Sequence, residues 1–109
     1  MILGRVVGEV WATRRHSRLR GKLLIVRPHA WYDPPHQVGH IVAVDPVGAG
    51  IGEDVLVCMG EPARRAMLAA WPHLAPEASP GAPWSGALNL PVDAAVAAIV
   101  DRVVHQEPT

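Results

Sequence analysis

The central part of the chain reads Asp45-Pro46-Val47-Gly48-Ala49-Gly50-Ile51-Gly52-Glu53-Asp54-Val55-Leu56-Val57. Glycines at alternate positions give the backbone the freedom that a tight loop with positive φ needs. We call residues 46–53 the glycine loop. The apolar residues that follow predict a short buried strand over residues 54–60. Since phosphate-binding loops open a helix and this loop precedes a strand, we expect it to have a structural role, at a subunit contact.

Three more strands are predicted before the glycine loop. Val, Ile and Trp are enriched at residues 2–12, 22–27 and 38–45, and turn-forming residues separate these segments. Gly4 and Gly8 lie inside the first segment, where internal glycines indicate a bend or a bulge. The order of these three strands predicts an antiparallel meander.

The second half of the chain is less regular. Residues 61–69 predict a short helix, because Pro62 lies in its first turn and Glu61 at the positive end of its dipole. Residues 70–90 are rich in Pro, Ala, Ser, Gly and Trp and are interpreted as an insertion within a single domain, residues 1–109. Alanines in residues 91–105 favour a helix, whereas the β-branched residues there equally suit a buried strand, so propensity alone leaves this segment open.

The composition restricts the function. The chain has 109 residues, 50% of them hydrophobic, and ten Lys and Arg balance ten Asp and Glu. A neutral protein lacks the long-range field that attracts nucleic acid or anionic lipid, and we expect neither as a partner. Apolar surface in excess of what one small core hides indicates self-association. One cysteine forms no internal disulfide, and the opening residues lack a signal-peptide pattern, so a cytoplasmic location is expected.

Candidate chemical groups are few. Asp45, Glu53 and Asp54 flank the glycine loop, either as an acid/base pair or, more simply, as turn caps that pair with arginine. Cys58 lies within an apolar strand, where a thiol is a small hydrophobe and not a nucleophile. The six histidines lack the spacing of a zinc site. No catalytic residue, metal site or cofactor is therefore predicted.

One alternative follows from the charge pattern. Cations without an intervening acid occur at Arg14, Arg15, Arg18, Arg20 and Lys22. Short strands with one helix are typical of an OB-fold, which can bind single-stranded nucleic acid or another small ligand through stacked aromatics. The chain has no Phe and a single Tyr, Tyr32, so the aromatic platform of that alternative is missing.

Four motifs, in order along nearly the whole chain, resemble the pentameric vertex proteins of bacterial microcompartment shells. They are Gly4-Arg5-Val6-Val7-Gly8, the stretch 45–57 quoted above, Gly60-Glu61-Pro62-Ala63-Arg64, and Pro91-Val92-Asp93-Ala94-Ala95-Val96-Ala97-Ala98-Ile99-Val100-Asp101. Each motif alone is weak, and together they are specific. The insertion at 70–90 is longer and richer in Pro and Trp than the family's usual connection.

The resemblance implies a mainly β protein: a five-stranded OB-like Greek-key barrel with one short α-helix, assembled as a cyclic homopentamer. It implies a strand over residues 94–104, a place at the five-fold vertices of a polyhedral shell, and hexameric shell proteins as partners. Gly48, Ala49 and Gly50 would face neighbouring shell proteins. Arg64 matches the family's helix start, and we infer that it pairs with Asp45, Glu53 or Asp54 within or across subunits.

Overall fold

The computed structural model describes residues 1–15, 19, 21–29, 39–72 and 92–104. Within these ranges the chain forms five strands and one helix: β1 (Ile2–Val10), β2 (Lys22–Pro28), β3 (Ile41–Asp45), β4 (Asp54–Met59), α1 (Glu61–Ala70) and β5 (Ala94–Val100). Each element predicted from the sequence is present, with ends that differ by a few residues. None of the described helical segments has the length and apolar character required to cross a bilayer.

The strands close into a barrel. Their order is β1-β2-β3-β5-β4, and β4 pairs back to β1. The first three strands form the predicted antiparallel meander. β5 pairs antiparallel with β4, and its junction with β3 is parallel, with Val44 opposite Ala95. The predicted five-stranded barrel with one short helix is confirmed.

β1 bends at its glycines, as predicted. Its register against β2 shifts between Val6 and Gly8, which is the irregularity expected of a bulge. At Gly4 a Cβ would lie 2.7 Å from the carbonyl oxygen of Arg27, so the two backbones are too close for any side chain. β1 can therefore pair with β2 on one side and β4 on the other and still curve around the core.

The segment that propensity left open is a strand. Residues 94–100 pair along β4, from Met59 opposite Ala94 to Asp54 opposite Val100. The strand implied by the resemblance is confirmed, although it ends at Val100, and Val104 beyond it is 80% exposed. The alanines at its start are buried, so they contribute small side chains that pack closely, and their helix propensity is not used.

The apolar core has two parts. The barrel interior is filled by aliphatic side chains from every strand, together with Ala49 of the glycine loop. The second part lies between α1 and the outer surface of the barrel: Val44, Cys58, Ala63, Met67, Val92 and Ala95. Because α1 buries Ala63 and Met67 against β4 and β5, it lies outside the barrel and covers one side of it.

The predicted insertion begins at the end of α1. Trp71 closes the helix by donating its backbone N–H to the carbonyl of Met67, at 2.9 Å. Its ring lies against Gly21 and leaves no space there for a Cβ. Trp71 therefore packs on its own subunit, while Trp84 and residues 73–91 lie outside the described residues, so the insertion itself stays a prediction.

Candidate functional site

The glycine loop joins β3 to β4 at one end of the barrel. Gly48 and Gly52 have φ of +86° and +94°, which confirms the expected positive-φ backbone. Val47, Gly48 and Ile51 are exposed, whereas the side chain of Ala49 is buried in the barrel core. Of the three predicted contact residues, Gly48 and Gly50 thus present their backbone, and Ala49 anchors the loop.

Asp45 holds the start of the loop. Its Oδ1 accepts hydrogen bonds from the backbone N–H groups of Val47, at 3.2 Å, and Gly48, at 3.0 Å. A carboxylate that satisfies two backbone donors in this way forms an Asx-type turn. The side chain is only 1% exposed, so Asp45 is unavailable to a molecule in solution.

Glu53 holds the end of the loop. Its Oε1 accepts the N–H of Gly50 at 2.7 Å, and its own N–H donates to the Gly50 carbonyl at 3.2 Å. β1 also holds this end of the loop: the Gly52 N–H donates to the Val6 carbonyl, and the Val6 N–H donates to the Glu53 carbonyl. The simpler interpretation of Asp45 and Glu53, as turn caps, describes what they do within the subunit.

Lys22 is a residue that the sequence analysis missed. Its Nζ donates to the carbonyl oxygen of Ala49 at 2.7 Å and lies 3.8 Å from carboxylate oxygens of Asp45 and Glu9. In the sequence Lys22 was grouped with the neighbouring arginines as part of a basic loop. Two signals could have found it: it is the chain's one lysine, and it starts the strand that pairs with β3.

Asp54 pairs with Arg5 and His29 on the outside of the barrel. Its Oδ1 lies 3.1 Å from Nε of Arg5, its register partner on β1, and 3.0 Å from Nε2 of His29. The hydrogen bond from Arg5 is the main reason that the pKa of Asp54 is below its ordinary value of 3.8, and His29 acts in the same direction against desolvation. The expected pairing with arginine is present at this carboxylate.

Arg64 makes a different contact from the one inferred. Its Nη1 donates to the carbonyl of Val92 at 3.1 Å, which fixes the entry to β5 against α1. Its Nε is buried and has no hydrogen-bond partner among the described residues of the subunit. Asp45, Glu53 and Asp54 are engaged by other groups, so pairing of Arg64 with a carboxylate across subunits stays a prediction.

The remaining candidate groups are structural in the subunit. Burial raises the pKa of the Cys58 thiol, and its Sγ lies 3.4 Å from the carbonyl oxygen of Ala95. No group of three or more His, Cys, Asp or Glu that could hold a metal occurs among the residues that the structure describes. Arg15 of the predicted basic loop donates to the carbonyls of Leu19 and Gly21. Arg18 and Arg20 lie outside the described residues.

The chain forms a closed five-stranded barrel with a helix outside it, which defines a small OB-like protein. Its distinctive surface is the glycine loop, which hydrogen bonds within the subunit hold in place. The sequence profile of the family described as "Ethanolamine utilisation protein EutN/carboxysome" matches residues 1–101. The chain belongs to this family, as the resemblance in its motifs indicated.

Individual relatives agree with this membership. The chain is 36% identical over 104 residues to the bacterial microcompartment shell vertex protein GrpN of Rhodospirillum rubrum, covering 94% of this chain and 96% of that protein. It is 32% identical over 103 residues to the carboxysome shell vertex protein CcmL of Thermosynechococcus vestitus, covering 94% and 86%.

Solved structures share the fold over nearly the whole chain. An ethanolamine utilization protein EutN matches with a TM-score of 0.67 and 34% identity, covering 96% of this chain and 91% of that one. The structure of the pentameric microcompartment shell protein GrpN from Rhodospirillum rubrum matches with a TM-score of 0.65 and 32% identity, covering 97% and 100%.

Proposed function

We propose that this protein forms a homopentamer that caps the five-fold vertices of a bacterial microcompartment shell. The observation that carries the proposal is full-length similarity to proteins named shell vertex proteins, one of which is a pentamer in its solved structure. The role is structural, and its location is the shell within the cytoplasm. Five copies around one axis use unlike flanks in head-to-tail contacts, which close into a ring.

The glycine loop is the part that we assign to contacts with neighbouring hexameric shell proteins. Gly48 and Gly50 carry no side chain, so a partner can approach the backbone closely. Ile51 is 63% exposed beside them and offers apolar surface. Asp45 and Glu53 accept hydrogen bonds from backbone N–H groups of the loop, and Lys22 donates one to the Ala49 carbonyl. These contacts keep the surface in one shape, which lowers the entropy cost of binding a partner.

The alternative of an OB-type nucleic-acid module has less support. Its strongest element was the basic loop, in which Arg15 donates to the loop's own carbonyls. The relatives named above are shell vertex proteins.

The experiment is native mass spectrometry of the protein alone, followed by electron microscopy of shells made by co-expressing it with hexameric microcompartment shell proteins. Gly50→Gln tests the loop, because a Cβ at Gly50 meets only the Glu53 carboxylate, at 3.4 Å, and strain at positive φ is avoided. We expect pentamers from both forms, closed shells from the wild type, and shells open at the vertices from Gly50→Gln.

The matched control is Gly39→Gln, which adds the same side chain where, apart from its chain neighbours, no atom of the described residues lies within 4 Å of the added Cβ. This variant is expected to close shells. A monomeric wild-type protein would refute the vertex role. Closed shells with Gly50→Gln would be compatible with the pentamer but would contradict the assignment of the glycine loop to the contact with hexameric shell proteins.

A further inference from the structure

The ammonium group of Lys22 lies where three acceptors from three parts of the chain meet. Glu9 comes from β1, Asp45 from the end of β3, and the Ala49 carbonyl from the middle of the glycine loop. Of these, only the Ala49 contact, at 2.7 Å, is within hydrogen-bond distance, and the two carboxylates at 3.8 Å are ion-pair neighbours. Lys22 therefore joins the loop to the barrel wall.

The pairing of β2 with β3 determines this position. Lys22 is the first residue of β2, Asp45 is the last residue of β3, and the two are register partners. Directly opposed residues on an antiparallel pair have side chains close enough to interact. The glycine loop leaves β3 immediately after Asp45, so an ammonium group beside Asp45 also reaches the carbonyl of Ala49.

Asp45 needs a cation at this place. Its Oδ1 is used by the backbone N–H groups of Val47 and Gly48, and its Oδ2 is buried with no hydrogen bond from the described part of the subunit. A buried carboxylate is stable only when its charge is balanced. The ammonium of Lys22 supplies that balance from 3.8 Å while donating to the loop.

The chemistry at this position favours lysine over arginine. Nine of the ten basic residues are arginine, and Lys22 is the exception. An ammonium is a compact point charge with three rotatable donors, whereas a guanidinium is a planar fork suited to bidentate contacts. Acceptors that converge on one nitrogen from separate directions match the ammonium.

We propose that Lys22 is a positioning residue for the glycine loop: it holds the Ala49 carbonyl and balances Asp45, so that the loop has its contact shape before a shell neighbour arrives. That the loop contacts a shell neighbour rests on the proposed function. Its structural part, a loop kept in one conformation by Lys22, is measurable on the pentamer alone. A loop ordered in advance loses less entropy on docking.

Chemical rescue tests the proposal. Lys22→Cys removes the ammonium, and alkylation of the new thiol with 2-bromoethylamine, which releases bromide, rebuilds an aminoethyl side chain of nearly lysine length. The Lys22 side chain is 40% exposed and accessible to reagent, whereas Cys58 is buried and has a raised thiol pKa. Labelling is therefore selective for position 22.

The readouts are native mass, hydrogen exchange at the amides of residues 47–50, and shell closure. In unmodified Lys22→Cys we expect an intact pentamer, exchange at these amides faster by about tenfold, as loss of one charge-assisted hydrogen bond allows, and open shells. Aminoethylation should restore slow exchange and closure. If Lys22→Cys only destabilised the whole subunit, restoring the ammonium group would not be expected to return loop exchange and shell closure to wild-type behaviour.

One control and one fallback variant accompany this test. In the control, Arg27→Cys with the same alkylation changes an exposed cation near the other end of β2 and should leave loop exchange unchanged. If Lys22→Cys fails to fold because Asp45 is left unbalanced, Lys22→Met with Asp45→Asn removes both charges and keeps an Oδ1 acceptor for Val47 and Gly48. That double variant should fold and still show fast exchange.

Slow loop exchange in Lys22→Cys or in the double variant would overturn the proposal, as would fast exchange that aminoethylation fails to reverse. These outcomes are separate from failure of the proposed function. A wild-type protein that forms no pentamer or closes no shell would refute the vertex role, whereas the exchange results are obtained without any hexameric partner.

Discussion

Asp54 illustrates what strand register adds to a single residue. The sequence placed it beside the glycine loop as a carboxylate that pairs with arginine, without a partner being identifiable. The antiparallel pairing of β1 and β4 sets Arg5 directly opposite, and His29 approaches the same oxygen. The sequence thus predicts that Asp54 pairs with an arginine, whereas the strand register identifies that arginine as Arg5.

Asp54→Asn should lower the free energy of unfolding at neutral pH by about 0.5 kcal/mol, the range of an exposed ion pair. The folded pKa of Asp54 is depressed, so its contribution is present above the ordinary value of 3.8 and is lost as the pH falls through the lower folded value. Urea titrations from pH 7 to about pH 3 should therefore show the variant and wild type converging in acid.

Asp101→Asn, at an exposed aspartate beyond β5, is the matched control, and its free energy of unfolding at neutral pH should equal that of the wild type. A difference between Asp54→Asn and wild type that persists undiminished below the folded pKa would contradict the electrostatic explanation.

Lys22 shows the opposite case at the same scale. Its residue type and its place at the start of a predicted strand distinguish it from Arg18 and Arg20, but they do not identify what it contacts, because those groups are far away in the chain. Its role depends on which residue of β3 lies opposite it, and a shift of one position would have turned its side chain to the other face of the sheet.

At the scale of elements, propensity located the strands and the helix but left the last strand undecided. Ala94 and Ala95 favour a helix locally, yet Ala94 is buried in the barrel interior and Ala95 is buried between the barrel and α1. Small side chains are needed there for packing, and this requirement comes from the tertiary structure. The motif Pro91-Val92-Asp93 and its resemblance to a family, not local preference, predicted the strand correctly.

Met67→Ala should cost about 3 kcal/mol of stability, because the side chain is fully buried between α1 and the barrel and truncation leaves a cavity. Thermal or urea unfolding of the purified protein measures this loss.

Met59→Ala offers a control with the same chemical change, since Met59 at the end of β4 is 38% exposed and should lose less than about 1 kcal/mol. Equal losses for the two variants would show that α1 contributes little to holding the barrel.

At the scale of the whole molecule, composition indicated association but not its number. The chain is neutral, and several large apolar side chains are exposed in the subunit: Met1, Val7, Trp11, Val42, Val47, Ile51, Met59, Val103 and Val104. Val47 and Ile51 belong to the glycine loop, and the candidates for the flanks between subunits are Met1, Val7, Trp11, Val42, Val103 and Val104. The number five depends on the family, because neither charge nor hydropathy encodes the angle at which two flanks meet.

We expect the assembled mass to be insensitive to salt. Burial of apolar surface is not screened by ions, whereas exposed ion pairs are weakened when the Debye length falls to about 3 Å at about 1 M NaCl. Mass photometry at low and high salt should give the same pentamer mass. Dissociation as salt rises would mean that ion pairs, including one from Arg64 across the interface, dominate the contact.

The junction between β3 and β5 has a consequence for how the barrel opens. It consists of one parallel register pair, Val44 with Ala95, while the other described junctions are longer antiparallel ladders. We therefore expect local unfolding to require the least free energy at this junction. Opening there would expose an unpaired edge of β3, with which β5 of another copy could pair, so that two subunits would exchange this segment. Met67 and Val92 belong to the same buried cluster as this pair, so we expect the packing of α1 to oppose this opening.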